Sequence, residues 1–417
     1  MPRGKDSCGA RAASARAALL AMCGARAASA RAALLVVGCA GLALAGCGLG
    51  GDSSRPPQLG AKSSDKEASA KLGFPSTATR NTIRVGGGDA ASDAAGVASA
   101  LFPATGGASR PTAVVLVDKD DWQGAVTGSV LTGSPIGAPM LLTDGGDVPP
   151  VTQDTIDRLK PKGSDLSKDA QVIRIGRDTG RPSGFRSAVV EGKDPYERAA
   201  AIDRFFSAAR GKPSGDVVVV SGEHAEWATP AGAWGARSGD AILPVKRESV
   251  PGPIKKAIQE HDKPNVYVLG PEKVIGKGVL KQLTPLAKSV HRIQGQTPVD
   301  NAIAFAKYQQ GSFGWAVVVP GYNFTLANTG RPLDAAAAAA LATKGVFAPL
   351  LLTDEAGKLP QNLERYFLSV QPGYEGSPDT AVYNKVWILG DDKSVSVDQQ
   401  SQVDQATELV PVQANAP

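Results

Sequence analysis

The stretch APMLLTD at residues 138–144 returns as APLLLTD at residues 348–354, and a degraded copy, DAILPV, lies between them at residues 240–245. Three apolar residues after a proline, closed by Thr-Asp, predict a short buried strand whose polar end emerges into a loop or a helix cap. A stretch that recurs in this way predicts that the whole chain is a tandem repeat, and the repeat decides the fold.

Three segments in which a strand ends in glycine fix the register of the repeat. The glycines are Gly87, Gly192 and Gly295, which are 105 and then 103 residues apart. Two positions after each glycine comes a residue that favours a helix N-cap, namely Asp89, Asp194 and Thr297. Seven positions after each glycine comes an alanine. A period of this size predicts whole domains in tandem rather than a solenoid of small repeats.

Two further kinds of strand recur in each unit. A run of β-branched or small apolar residues is found at 114–117, 217–220 and 316–319. A strand that again ends in glycine is found at 172–176, 266–270 and 386–390. These runs do not alternate, which is typical of strands covered on both faces, as in parallel sheets flanked by helices. Helical segments, often begun by proline, are predicted at 151–159, 250–260 and 359–368.

The order of elements in each unit predicts an α/β fold. Each unit reads strand, helix, strand, helix, strand, helix, strand, which requires right-handed crossovers and a mainly parallel sheet with helices on both faces. We expect three such modules in tandem, at residues 81–186, 187–289 and 290–412. Units of about 100 residues can bury a core of their own, although a small one that gains from packing on its neighbours.

Residues 1–46 have the features of an export signal. Arg26 and Arg31 precede an apolar run that is shorter than a typical transmembrane helix. The run ends in LAGC at 44–47, which resembles the lipobox of bacterial lipoproteins and implies cleavage before Cys47 and lipidation of its thiol with a diacylglycerol that carries palmitate-type chains. A chance cysteine after an ordinary signal peptide is the alternative. The segment at 47–80, rich in Gly, Ser, Lys and Pro, is expected to be a disordered tether.

Cysteine placement and charge exclude several classes of site. The four cysteines all lie at or before position 47, at Cys8, Cys23, Cys39 and Cys47. Disulfides and cysteine-bound zinc are therefore excluded for the folded part of the chain, and no metal or other cofactor is predicted. Residues 1–46 hold six Lys/Arg and one Asp, so 39 basic and 39 acidic residues remain. This balance gives no reason to expect binding to nucleic acid.

The three-unit pattern resembles the cell wall-binding repeat 2 family, the three-module anchors of clostridial surface-layer and other cell wall proteins. Arg84 and Arg292 match the arginine of the family's opening strand. Residues 139–142 and 349–352 match its Pro-φ-Leu-Leu strand. The looser matches are its Asp-Ala-Leu motif at residues 333–336 and its closing Gly and Val-Ser motif at residues 390–396.

The sequence departs from the family pattern in several places. Val189 replaces the opening arginine in the second unit, while DWQG at 121–124 and EWAT at 226–229 replace the aspartate motif. The second closing glycine is replaced by Arg177, Pro271 and Asp391. The resemblance implies three modules grouped around a pseudo-threefold axis, and binding of an anionic cell wall polymer or a peptidoglycan-linked glycan.

Five side chains are candidates for ligand contact. Arg84, Arg292 and Asp334 could contact the polymer, because a guanidinium suits phosphate and carboxylate groups. The alternative is that the arginines are structural and that Asp334 caps the alanine-rich helix. Trp122 and Trp227 are interpreted as equivalent and could stack on a sugar. A packing anchor is the alternative for both tryptophans.

No catalytic constellation can be found in the sequence. The three histidines, His224, His261 and His291, form no His-x₃-His pair, and no Gly-x-Ser-x-Gly elbow is present. The glycines at 86–88 lack the spacing of a nucleotide-binding loop.

These observations predict a non-catalytic protein of the bacterial envelope. Lipid at Cys47 would anchor it to the cell membrane on the extracytoplasmic face, and three modules would bind wall polymer. The alternative is the substrate-binding lipoprotein of a transporter, which predicts two lobes with a cleft between them. An envelope hydrolase is a third alternative, but the sequence lacks a nucleophile paired with a base.

Overall fold

The computed structural model describes residues 76–103, 110–343 and 348–412. The predicted export signal, Cys47 and the tether as far as residue 75 lie outside these ranges. The strands in chain order are β1 (Ser76–Ala78), β2 (Thr82–Val85), β3 (Val114–Asp118), β4 (Met140–Thr143), β5 (Val172–Ile175), β6 (Ser187–Val190), β7 (Asp216–Ser221), β8 (Ala241–Val245), β9 (Asn265–Leu269), β10 (Ser289–Ile293), β11 (Asn323–Asn328), β12 (Leu350–Thr353), β13 (Gly373–Tyr374), β14 (Lys385–Leu389) and β15 (Val410–Pro411). The α-helices are α1 (Ala90–Leu101), α2 (Trp122–Gly128), α3 (Pro150–Leu159), α4 (Pro195–Arg210), α5 (Ala225–Ala228), α6 (Pro230–Ser238), α7 (Gly252–Glu260), α8 (Lys277–Leu283), α9 (Pro298–Lys307), α10 (Pro332–Ala338), α11 (Gln361–Ser369) and α12 (Val397–Ala406).

Most of these strands form three parallel sheets with the same internal order. The first sheet is β4-β3-β5-β6, the second is β8-β7-β9-β10, and the third is β12-β11-β14-β2 with β1 antiparallel at its edge beside β2. Helices make most of the connections between successive parallel strands, whereas residues 176–186 join β5 to β6 without an α-helix. The predicted α/β class with repeated, mainly parallel sheets is therefore confirmed.

The recurring stretch at 138–144 and its two copies form the equivalent strands β4, β8 and β12, and every residue in these strands is buried. Each pairs with the strand that precedes it in the chain, β3, β7 or β11, which is the first strand of its sheet. The copies themselves are the second strands, β5, β9 and β14 are the third, and β6, β10 and β2 are the fourth. The last paired residues are Asp118 with Thr143, Ser221 with Val245, and Asn328 with Thr353. The first strands of the three sheets therefore end at equivalent residues, Asp118, Ser221 and Asn328.

The third sheet is completed by a strand from the beginning of the folded chain. β2 pairs in parallel with β14, so that Arg84 lies opposite Ile388. The C-terminal helix α12 covers this junction, because Asp404 accepts a hydrogen bond of 2.8 Å from the backbone N–H of Asn81, and Gln400 donates one of 2.8 Å to Thr82. Both ends of the folded region are thus fixed in one sheet.

The fourth strand of each sheet leads into a helix that packs on the next sheet. Helix α1 follows β2 of the third sheet but lies against β4 of the first, and α4 and α9 contact β8 and β12 in the same way. Strands β6 and β10, which the predicted repeats place at the start of the second and third modules, pair with β5 and β9 instead. Sheet membership therefore crosses the predicted repeat borders by one strand.

The helices that follow the first strands meet at the centre of the molecule. Helices α2, α6 and α10 contact one another, and the 3₁₀ turns Ser129–Thr132 and Ala339–Ala342 also pack against α6. Each of the three sheets contributes one member, which gives the pseudo-threefold grouping that the family resemblance implies. The centre is made of small side chains, since residues 335–342 are almost all alanine and all buried.

One predicted strand is wrong. The run at 316–319 is not a strand, and the first strand of the third sheet is β11 instead. Ala316 has a φ of 56°, which lies in the left-handed region and outside the region that β-strands require. Val318 and Val319 are 56% and 53% exposed. The more polar stretch NFTLAN forms β11 instead, and its four central residues are buried in the strand that pairs with β12 on one side and β14 on the other.

The predicted helix starts are confirmed. Asp89 accepts a hydrogen bond from the N–H of Ser92, Asp194 accepts two, from Tyr196 and Glu197, and Thr297 forms a capping box with Asp300. None of the helices within residues 76–103, 110–343 and 348–412 has the length and apolar character needed to cross a bilayer.

Candidate functional site

The carboxyl ends of the parallel strands form the most distinctive concave surface of each sheet. In all three sheets the second strand lies on one side of the first strand and the third strand lies on the other. Ligands of open parallel sheets bind in the crevice that such a reversal leaves beyond the strand ends. In the first sheet, the loops that follow the first, third and fourth strands line this crevice.

Two of these crevices are open. The first groove, at the first sheet, has a volume of about 730 Å³ and is lined by Asp118, Asp121, Gly145, Ile175, Gly176, Arg177, Asp178, Thr179, Glu191, Gly192, Lys193, Glu197 and Arg198. The second groove, at the second sheet, has a volume of about 700 Å³ and is lined by Pro271, Glu272, Lys273, Gln294, Gly295, Gln296, Asp300, Ile303, Ala304 and Lys307. Both grooves are open to solvent.

The glycines that define the repeat lie at the inner wall of these crevices. Each stands two residues after the end of a fourth strand. A Cβ on Gly192 would lie 2.3 Å from the backbone nitrogen of Arg198, and a Cβ on Gly295 would lie 2.2 Å from that of Asn301. Only glycine lets the following helix begin this close to the strand end. Gly87, Gly192 and Gly295 therefore occupy equivalent places, as the sequence predicts.

At two of the three sheets, the residue six positions after the glycine joins the helix to the loop after the first strand. Asp93 lies 2.7 Å from Arg331 at the third sheet. Arg198 lies 3.0 Å from Asp121 at the first sheet, so the positions of acid and base are exchanged. The corresponding residue at the second sheet is Asn301, whose side-chain oxygen accepts a hydrogen bond of 3.2 Å from the N–H of Gly295.

A buried cluster of charges closes the crevice of the third sheet. Arg331 donates to both Asp334 and Asp93, and the two aspartates are 1% and 0% exposed. Burial and the nearby Asp334 raise the pKa of Asp93 to about 9. Burial also raises the pKa of Asp334. One proton shared by the two carboxyl groups leaves a neutral cluster around one arginine, which is far less costly to bury than an excess charge.

Comparison with known proteins agrees with this architecture. Residues 190–280 and 292–399 match the sequence model of the family Cell wall binding domain 2 (CWB2). The chain carries two CWB2-like segments in tandem. No curated protein sequence matches the chain.

Two solved structures share the fold of the chain. Cwp6 from Clostridium difficile has a TM-score of 0.60 and 16% identity, and the alignment covers 82% of this chain and 49% of Cwp6. Cwp8 from Clostridium difficile has a TM-score of 0.60 and 19% identity, and the alignment covers 82% of this chain and 54% of Cwp8. This chain thus spans about half the length of either protein, and the likeness at these identities is one of fold.

The two arginines in the CWB2-like opening strands are held within the protein. Arg84 is 5% exposed and donates to the carbonyl groups of Gly390, Asp391 and Val395, with N–O distances of 2.9, 2.9 and 2.6 Å. Arg292 donates to Gly270 at 2.5 Å and to Ile275 at 2.7 Å. Each arginine therefore stabilises the turn that follows the third strand of its own sheet. Contact with a ligand stays a prediction for both.

The first sheet has the same arginine on a different strand. Val189 stands at the position of Arg84 and Arg292, but its partner on β5 is Arg174. Arg174 donates to the carbonyl group of Thr179 at 2.6 Å, in the turn after the third strand. Sequence reasoning missed this residue, although an arginine in the predicted strand VIRIG was a visible signal. In the first sheet, the arginine that binds the turn after the third strand therefore lies on the third strand itself, and in the other two sheets it lies on the neighbouring fourth strand.

The other three candidate residues differ from their predicted settings. Asp334 is not the N-cap of α10, because that position is Arg331 and Asp334 lies in the first turn. Trp122 follows the end of its first strand by four residues and Trp227 follows by six, so the two tryptophans are not equivalent. Trp122 is half-buried against the core, and Trp227 is 5% exposed. Ligand contact remains a prediction for all three.

Moving the arginine between strands tests its structural role. Arg174→Val should lower the free energy of unfolding by about 1–2 kcal/mol, because the carbonyl group of Thr179 loses its donor. The double variant Arg174→Val with Val189→Arg should recover most of this loss, since it restores the arrangement of the other two sheets. Urea unfolding measures both, and the exposed Arg181→Val provides a control with the same change of charge. A double variant no more stable than Arg174→Val would contradict this role.

The raised pKa of Asp93 predicts a pH dependence of stability. A carboxyl group that keeps its proton in the folded state stabilises the protein below the pKa of the unfolded chain, and this contribution is lost as pH rises through the folded pKa. The free energy of unfolding should therefore fall between about pH 5 and about pH 8 less in Asp93→Asn than in the wild type, by up to about 4 kcal/mol, because each pH unit in this window is worth about 1.4 kcal/mol. Thermal or urea unfolding at both pH values measures the slope. The exposed Asp398→Asn should keep the wild-type slope, and an unchanged slope in Asp93→Asn would disprove the assignment.

Proposed function

We propose that the protein is a non-catalytic, lipid-anchored component of the bacterial cell envelope that binds cell wall polymer through three related modules at residues 81–186, 187–289 and 290–412. The observation that carries this proposal is the pair of tandem CWB2 matches, continued by a third sheet of the same strand order. We further propose that the polymer binds at the carboxyl ends of the sheets, where the open grooves lie.

The chemistry of the described residues supports binding rather than catalysis. His224 is exposed beside Glu226, His261 is buried against Asp203, and His291 lies beside Ser289. The three histidines lie in separate parts of the described structure, and none of them lines either groove beside a nucleophilic side chain. In the described part of the chain no three His, Cys, Asp or Glu side chains come together as a metal site.

Repetition of the module supports binding to a long, repetitive ligand. A polymer can occupy several weak sites at once, and linking such sites raises the overall affinity by roughly 10²–10⁴-fold. The second groove carries Lys273 and Lys307, which suit an anionic polymer or a peptidoglycan-linked glycan. The alternative, a transporter's substrate-binding lipoprotein, predicts two lobes around one cleft, whereas three sheets meet here through central helices.

Sedimentation with purified cell walls tests the proposal. The full chain, kept soluble in detergent micelles, should co-sediment with bacterial walls at low salt, and retention should fall at about 1 M salt because exposed ionic contacts are screened. An unrelated protein of similar isoelectric point serves as the control. The proposal fails if the full chain remains in the supernatant at both salt concentrations.

The lipid anchor is a separate part of the proposal, and it rests on the resemblance of LAGC at 44–47 to a lipobox. In bacterial cells that express the full chain, Cys47→Ser should abolish incorporation of labelled palmitate and move the protein from the detergent-rich to the aqueous phase. Cys39→Ser, which changes another cysteine of the leader, should leave both unchanged. Labelling that persists in Cys47→Ser would exclude lipidation at this residue.

A further inference from the structure

We propose that the second groove binds an acidic group of the wall glycan, a carboxylate or a phosphate, between the ammonium groups of Lys273 and Lys307. This inference rests on the proposed function and adds to it the chemical group that is recognised and the cations that recognise it. Lys273 lies in the loop after the third strand, β9, and Lys307 ends helix α9, so the two stand on different walls of the groove.

The ammonium group of Lys273 is held in place by two contacts. It donates a hydrogen bond of 2.8 Å to the backbone carbonyl of Gln296, which follows the fourth strand. It also lies 5.1 Å from the centre of the Trp227 ring. A cation over an indole face is favoured by the ring's quadrupole, and a fixed lysine loses less side-chain entropy when a ligand binds. Trp227 is buried behind the groove and is therefore a positioning residue for Lys273.

Lys307 supplies a second cation that is not committed to the protein. Within the described residues it forms neither a salt bridge nor a hydrogen bond. The acidic residues of the same groove are occupied elsewhere, because Glu272 pairs with Lys277 at 3.2 Å and Asp300 accepts a hydrogen bond of 2.7 Å from Asn362. Lys277 offsets the charge of Glu272, so Lys273 and Lys307 outweigh Asp300, the carboxylate that is left, and the net charge of the groove is positive.

The rest of the groove suits the body of a sugar. Ile303 and Ala304 are half-buried and offer a small apolar floor, on which the C–H face of a pyranose ring can lie. Gln294 and Gln296 are exposed at the rim, and their amide groups can donate to and accept from hydroxyl groups. Apolar floor, amides and two cations together match an acidic glycan unit better than an isolated ion.

The first groove is the more acidic of the two, because five carboxylates (Asp118, Asp121, Asp178, Glu191 and Glu197) line it beside three cations (Arg177, Lys193 and Arg198). Its Arg198 is paired with Asp121 at 3.0 Å, and its Arg177 is paired with Glu191 at 2.8 Å. The crevice of the third sheet is closed by the buried cluster of Arg331 with two aspartates. Among the crevices of the described residues, the second groove is therefore the one in which the protein's own carboxylates compete least with an acidic ligand for the lysines.

Binding to defined polymers tests the inference in the full chain. The probes are polygalacturonate, which carries carboxylates, poly(glycerol phosphate), which carries phosphates, and neutral dextran, and the dissociation constants are measured by titration calorimetry. Lys273→Met with Lys307→Met should weaken binding to at least one acidic probe by roughly tenfold or more. The exposed Lys281→Met, which lies outside the groove, should bind as the wild type does.

The outcomes separate this inference from the proposed function. Walls that retain the wild type, together with acidic probes that bind the double variant as tightly as the wild type, would overturn the inference and leave the function standing. Equal weakening in Lys281→Met, binding of dextran as tight as that of the acidic probes, or no binding of either acidic probe would also overturn it. Failure of the wild type to bind walls would remove the function itself.

The positioning role of Trp227 has its own readout. Trp227→Phe keeps a ring beneath Lys273 and should retain most of the affinity for the acidic probe. Trp227→Leu removes the ring and should weaken binding several-fold and flatten its dependence on salt, while circular dichroism checks that the fold is kept. If Leu and Phe variants of equal stability bind equally well, Trp227 does not position Lys273.

Discussion

The parallel pairing of β2 with β14 is the contact on which the rest of the architecture depends. It joins a strand at the start of the folded chain to the last sheet, so that each of the three sheets has the same four-strand order. Without β2, the third sheet would expose the edge of β14, and the side chain of Arg84 would no longer hold the turn after that strand. The seam is buried and fully hydrogen-bonded, as strands within a parallel sheet require.

The same pairing makes the three units interdependent. Each fourth strand belongs to one sheet, while the helix that follows it covers the next sheet, so neither sheet is complete without its neighbour. A glycine at the end of the fourth strand makes this change of partner sterically feasible, since a Cβ at Gly192 or Gly295 would collide with the first turn of the helix. The small core of a unit of about 100 residues is thereby extended across the whole molecule.

The junctions between units share their backbone geometry but not their chemistry. One carries Asp93 with Arg331, another carries Arg198 with Asp121, and the third places Asn301 against Gly295. Because an acid and a base have changed places between two junctions, a helix docked on the wrong sheet would meet a like charge, which favours the native order of units. The same substitutions leave two crevices open and one closed, so copies of one fold differ in the charge that they offer to a ligand.

The sequence by itself determined the elements that depend on local pattern. Apolar runs such as 140–143, glycines at strand ends and N-caps such as Asp194 act within a few residues, and for this reason they predicted the strands, the helix starts, the α/β class and the period of the repeat. The run at 316–319 misled because burial of a strand is decided by distant helices and not by its own composition. Only the tertiary structure decided that β2 completes the third sheet, that Arg174 replaces the arginine missing at Val189, and that Lys273 lies over Trp227. These contacts join residues that are far apart in the chain, and their energies depend on burial and distance, which the order of residues does not state.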